Sequence, residues 1–168
     1  VIKHGVIGEP VLFEALAGGP PDGVLTLDPA LLARSIRVKI EIVEQDPFEG
    51  GRRAVLNLGH TAGHALERLS GFTLRHGEAV SIGLVVVARI AERMGRAETG
   101  LVERIAAVLR TWGLPVTCPP YAVSSILEAM THDKKKRRGR LRWILPRAIG
   151  DVTVADDVPQ DLVGAVLR

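Results

Sequence analysis

Cysteine is almost missing. Cys118 is the only one among 168 residues, so no intrachain disulfide can form and a disulfide scaffold is excluded. Aromatic residues are scarce too, with three Phe, two Trp and one Tyr. The core must be built from Leu, Val, Ile and Ala, a composition that favours packed helices. No apolar run approaches the roughly 18 residues that a membrane span needs; the longest is Leu84–Ala88 with its flanks. Val1–Pro10 lacks a charged segment followed by an apolar run. No secretory leader is expected, and a reducing cytoplasm fits best.

What is present describes an ordinary soluble domain. Hydrophobic residues make up 46% and charged residues 24%, which excludes an intrinsically disordered chain. The length matches one domain of roughly 150 residues. The formal charge is +3, but it is unevenly spread. Lys134, Lys135, Lys136, Arg137, Arg138, Arg140 and Arg142 put seven positive charges within nine residues, so the remainder is net negative. No aromatics interleave with this run, and Trp143 stands alone after it. That pattern reads as a solvated, mobile loop and not as a nucleic-acid surface.

The periodicity predicts a mainly α, multihelical fold over 1–168 with a small β-hairpin near 141–154. Val1–Leu16 reads as a short helix or a helix end. Asp28-Pro29 opens the next, with a capping side chain before proline. Leu31, Leu32, Ser35, Ile36, Val38, Lys39, Ile42 and Val43 follow at helical spacing, up to Asp46-Pro47. Leu56–Leu69 reads as a helix carrying two histidines. Gly77–Met94 is apolar nearly all round and should be a central buried helix. Further helices are expected over Leu101–Thr111, Ser124–His132 and Pro159–Leu167. Leu141–Leu145 and Val152–Val154 read as two strands joined through Pro146–Gly150. No strand–helix alternation points to a parallel sheet.

The densest chemistry lies in Asn57-Leu58-Gly59-His60-Thr61-Ala62-Gly63-His64, followed by His76-Gly77-Glu78. His60 and His64 are four apart and share one face of a helix. That spacing lets both reach one metal ion, or lets one bind metal while the other does acid–base work. His76 can fold back as another ligand. Imidazole suits zinc, cobalt and nickel. Spacing alone leaves metal binding and satisfied polar residues equally open. Glu67 and Glu78 read as supporting or capping groups, and His4 and His132 as structural or solvated.

Leu56–Glu67 followed by His76-Gly77-Glu78-Ala79-Val80-Ser81-Ile82-Gly83 resembles the 3-dehydroquinate synthase family of sugar phosphate cyclases. Three more stretches agree in order. Val1-Ile2-Lys3-His4-Gly5 is similar to the family's E-x-x-K-x-G motif without its glutamate. Lys39–Arg53 is similar to the stretch before the histidine helix, and Asp133-Lys134-Lys135 with Gly139 to the family's Asp-Lys-Lys segment.

The resemblance covers the family's C-terminal, mostly helical domain. It implies that the N-terminal, Rossmann-like, NAD-binding domain lies outside this chain, which has no GxGxxG loop. It implies zinc (or cobalt) on His60 and His76, with the family's glutamate ligand preceding Val1. His64 is implied as the acid–base histidine and Glu49 as the other proton acceptor. Lys3, Lys39, Arg53, Asn57 and one of Lys134 and Lys135 are implied as substrate contacts. Arg53 and Asn57 are expected on the active face of the histidine helix.

The implied substrate is 3-deoxy-D-arabino-heptulosonate 7-phosphate, whose carboxylate and phosphate suit lysine and arginine. The implied product is 3-dehydroquinate, in the shikimate route to aromatic amino acids. A sister cyclase making a valiolone or an inosose, and a non-catalytic interaction domain, are the alternative readings. The expected partners are the sugar phosphate, the NAD-binding domain and, through a face left exposed, a second copy in a homodimer. The chain alone is expected to be inactive and to bind zinc weakly.

Overall fold

The most apolar segment becomes the central helix of the computed structural model, which describes residues 1–20, 26–48, 51–136 and 141–168, without the side chains of 132–136. This helix, α5 (His76–Arg93), buries twelve residues from Ala79 to Ala91. The helices in chain order are α1 (Ile2–Gly8), α2 (Pro10–Ala17), α3 (Pro29–Gln45), α4 (His60–Leu69), α5, α6 (Leu101–Thr111), α7 (Val123–Lys136) and α8 (Gln160–Val166). A short 3-10 helix spans Arg52–Asn57. Strands β1 (Trp143–Ala148) and β2 (Asp151–Ala155) pair antiparallel, with Trp143 opposite Ala155 and Leu145 opposite Thr153. Helices α4, α6 and α8 and strand β1 pack against α5, as a segment apolar all round requires. The mainly α fold with one small hairpin is as the sequence implies.

Several boundaries differ from the sequence reading, each for a local reason. Val1–Leu16 is two helices, because Pro10 has no N–H to continue α1 and instead opens α2. Leu56–Leu69 is not one helix. Gly59 takes φ +78 and breaks the path, so α4 starts at His60. Lys134–Lys136 continue α7, where a loop was expected; Arg137–Arg140 lie outside the described residues. Strand β1 runs on through Pro146 and Arg147, with a register irregularity between Pro146 and Ala148, where proline offers no ladder donor.

Other signals translate directly. The Asp28 side chain accepts from Ala30 N at 2.8 Å, capping α3. The Glu78 carboxylate reaches back to Arg75 N at 2.9 Å, the capping role expected of it. Trp112 Nε1 donates to Leu16 O at 2.7 Å and pins the end of α6 to α2. Gly150 N donates to Val6 O at 3.0 Å and ties the hairpin turn to α1. α3 lies outermost. It buries Ser35, Val38 and Ile42 and leaves Leu32, Ile36 and Ile40 exposed along one stripe. No helix among the described residues is long and apolar enough to cross a membrane.

Gly59 and α4 meet α5 backbone to backbone. A Cβ on Gly83 would sit 1.9 Å from Gly59 O, and one on Gly63 would sit 3.2 Å from Ala79 O. Backbone meets backbone there, so no side-chain rotation can relieve a larger residue. Gly83→Ala is expected to cost about 3 kcal/mol or more, the upper range of overpacking, read as a lowered midpoint in urea unfolding. Gly8→Ala meets nothing within 4 Å and should leave stability unchanged or raise it by up to about 1 kcal/mol. Equal effects of the two changes would refute this account of the crossing.

Candidate functional site

The α4–α5 crossing sets three imidazoles side by side. His60 opens α4, His64 lies one turn on, and His76 opens α5. Ring centroids are 5.1 Å apart for His60 and His64, 5.2 Å for His60 and His76, and 5.9 Å for His64 and His76. The helical spacing explains the first distance. The other two arise from the loop after α4, where Gly71 and Phe72 both take positive φ and turn the chain back.

Two rings are held through Nδ1. His60 Nδ1 lies 3.1 Å from Leu58 O, and His76 Nδ1 lies 3.1 Å from Glu67 Oε1. An oxygen at Nδ1 makes that nitrogen the donor and leaves Nε2 with its lone pair. Burial pushes the His60 imidazole down to about 4, with Lys3 nearby adding to the effect, so it is neutral near pH 7. Neutral imidazoles with tied Nδ1 atoms are the form that binds a divalent metal. This donor set fits zinc or cobalt. Donor atoms of His64, Glu67 and His76 also lie within 4.8 Å of one another.

A cleft of about 500 Å³ opens beside the cluster. Lys3, His4, His60 and His76 contribute polar groups to it, and Leu84 and Trp112 contribute to its apolar wall. Lys3 Nζ donates to Leu56 O at 2.7 Å, joining α1 to the 3-10 helix. Burial, and then Lys39, push the Lys3 ammonium down to about 8. Two lysines within electrostatic reach of one another make this end of the cleft receptive to an anion.

Arg53 and Asn57 do not share the histidine helix, as was expected. They lie on the 3-10 helix before Gly59. Asp46 holds that segment: its Oδ2 accepts from Gly51 N at 2.8 Å and Arg53 N at 2.9 Å. The Arg53 guanidinium donates to Pro47 O at 3.3 Å. Asn57 is exposed, as is Lys39 on α3. Glu49 and the side chains of Lys134 and Lys135 lie outside the described residues.

Two contributors were not foreseen. His4 is structural, with Nδ1 2.7 Å from Ser35 Oγ, yet it also lines the cleft. Ser81 is buried, and its hydroxyl lies 2.7 Å from both Glu78 O and Pro115 O, locking α5 to the cleft rim. A serine inside the apolar run from Ala79 was the signal for it.

The described sheet has two antiparallel strands, with none of the βαβ architecture on which nicotinamide dinucleotides sit.

The fold defines the class. The chain superposes with a TM-score of 0.86 and 25% identity on 2-epi-5-epi-valiolone synthase from Streptomyces hygroscopicus with NAD+ and Zn2+ bound, covering 99% of this chain and 48% of that one. It matches 2-deoxy-scyllo-inosose synthase complexed with carbaglucose-6-phosphate, NAD+ and Co2+ in fold, at a TM-score of 0.75 and 22% identity. These are sugar phosphate cyclases. Residues 1–136 match the model for the 3-dehydroquinate synthase C-terminal domain, and the chain belongs to that family. It is 44% identical to the 3-dehydroquinate synthase of Picosynechococcus sp. over 99% of its length, and 42% identical to that of Xanthomonas campestris pv. campestris over 99%. It spans 48%, about half, of each of these relatives.

The site makes stability depend on pH. Burial pushes His4, like His60, down to about 4, against roughly 6.5 in an unfolded chain. Between these values the unfolded state binds more protons than the folded state. The stabilisation is complete above about pH 6.5 and is lost as pH falls toward 4. Urea unfolding should show wild type losing stability from pH 7.5 to 5. His4→Gln should lose less, by roughly 1 kcal/mol after allowance for solvent at the ring. Identical pH slopes for the two proteins would contradict this.

Proposed function

We propose that this chain is the metal- and substrate-binding half of a 3-dehydroquinate synthase. Joined to an NAD-binding half, it converts 3-deoxy-D-arabino-heptulosonate 7-phosphate to 3-dehydroquinate and phosphate. The observation that carries this reading is the cluster of His60, His64 and His76 at a cleft that also holds Lys3. Identity of 44% to a 3-dehydroquinate synthase, against 25% to a valiolone synthase, favours this reaction over that of a sister cyclase.

His60 and His76 would hold zinc or cobalt, with a carboxylate from outside the described residues completing the set. A divalent metal there supplies Lewis acidity toward the substrate's hydroxyl oxygens. His64, exposed and one helical turn from His60, takes and returns a proton at its ring nitrogen. Glu49 serves as the second proton acceptor. Lys3 and Lys39 bind one anionic end of the substrate, since a lysine ammonium is a compact charge that suits carboxylate and phosphate. Arg53, steadied through Asp46 and Pro47 O, and Asn57 orient the substrate from the 3-10 helix. Lys134 or Lys135, near the end of α7, adds a further contact. NAD binds to the other half, and the isolated chain is inactive.

The test is phosphate release by the chain joined to a nucleotide-binding half, with NAD+ and Zn2+ supplied. Turnover is expected with 3-deoxy-D-arabino-heptulosonate 7-phosphate and not with the sugar phosphates of valiolone or inosose synthases. His60→Ala and His76→Ala should each lower activity at least 100-fold, and His64→Ala should lower kcat by roughly 100-fold or more. Unchanged activity in both ligand variants would favour a domain that only binds a partner.

A further inference from the structure

We propose that Glu67 is the positioning residue of the imidazole cluster: its carboxylate holds His76 as the Nδ1–H tautomer and aims the Nε2 lone pair at the metal. The inference rests on the metal-binding reading above and assigns Glu67 a part in it. The Glu67 side chain is 15% exposed and that of His76 is 58% exposed. A half-free imidazole at a helix start has several rotamers and two tautomers open to it. The nearly buried carboxylate, 3.1 Å from Nδ1, selects one of each.

Glu67 is fixed from both ends. It lies three residues after His64, on the same face of α4. Its main-chain carbonyl accepts from Phe72 N at 2.9 Å and from Ser70 Oγ at 2.7 Å. Those bonds hold the turn at Gly71 and Phe72, both at positive φ, that returns the chain to His76. One residue thus anchors the loop that delivers His76 and the ring that arrives.

The two held rings differ in a useful way. His60 donates to the neutral Leu58 carbonyl, whereas His76 faces a carboxylate. A negative acceptor at Nδ1 raises the basicity of Nε2 more than a neutral one. His76 is therefore the stronger donor of the pair. The competing role for Glu67 is direct ligation, since its oxygen and the His64 and His76 nitrogens lie within 4.8 Å. A carboxylate oxygen already accepting from His76 Nδ1 favours the positioning role.

Long-range 1H–15N correlation spectra of the metal-free chain at pH 8 read the tautomer directly. The expected result is Nδ1–H for His76 in wild type and in Glu67→Gln, whose carbonyl still accepts, and a shift toward Nε2–H in Glu67→Ala. Visible absorption during Co2+ titration of the chain joined to an NAD-binding half reads affinity. Glu67→Ala should bind roughly 10–100-fold more weakly than wild type, with Glu67→Gln recovering most of the loss. Wild-type His76 found as Nε2–H overturns the proposal without any variant. So does a Glu67→Gln protein as impaired as Glu67→Ala with an altered cobalt band, which is the mark of a lost ligand. If wild type joined to an NAD-binding half takes up no Co2+ while His76 keeps the expected tautomer, the metal reading fails and the Glu67–His76 hydrogen bond stands.

Discussion

Everything at the site depends on two backbones touching. Gly59 O sits where a side chain on Gly83 would be, and Gly63 lies against Ala79. Glycine at these places lets α4 and α5 approach more closely than side-chain packing allows. That approach brings His60 and His64, on one helix, within 6 Å of His76 on the other. A wider crossing would leave two histidines on one helix and a third beyond reach. Packing and chemistry are therefore one constraint here, set by residues that carry no functional group.

The electrostatics follow from the same geometry. His60 and His76 are the first residues of α4 and α5, where unpaired N–H groups concentrate partial positive charge. Lys3 and Lys39 lie within electrostatic reach of this end of the site. Burial, and then the charge of nearby Lys3, keep His60 neutral, with its pKa near 4. The site thus combines a neutral His60 with two nearby lysines. Such a combination leaves a metal's coordination sites to nitrogen while drawing an anionic molecule alongside. The apolar wall at Leu84 and Trp112 lowers the local dielectric and lengthens the reach of those charges.

Much of this was legible in the sequence, and the misses have physical causes. The central helix was evident because an apolar run of that length has few other solutions. The three histidines were grouped correctly because two share a helical face and the third opens the following helix. The histidine helix was drawn too long because Leu56–Leu58 continues its apolar pattern; only the φ of +78 at Gly59 shows the break. That error placed Arg53 and Asn57 on the wrong element, although both remain just before the site. The loop reading of Lys134–Lys136 failed for another reason: lysine has good helix propensity, and nothing in the sequence breaks α7 before them. The hydrogen bond between His4 and Ser35 was beyond reach, since it joins α1 to α3 across 31 residues.

Lys3 shows how closely the segments of the site are coupled. Its ammonium donates to Leu56 O, in the 3-10 helix that ends just before Gly59. The same charge helps keep His60 unprotonated. A lysine whose pKa has fallen to about 8 is a sizeable fraction neutral at slightly alkaline pH. An anion entering the cleft would restore its full charge, because an opposite charge nearby favours the ionised form. The charge it regains would in turn bind the anion more strongly. Binding of the anion and protonation of Lys3 are thus one linked event. The residue that positions the 3-10 helix thus also registers whether an anion occupies the cleft.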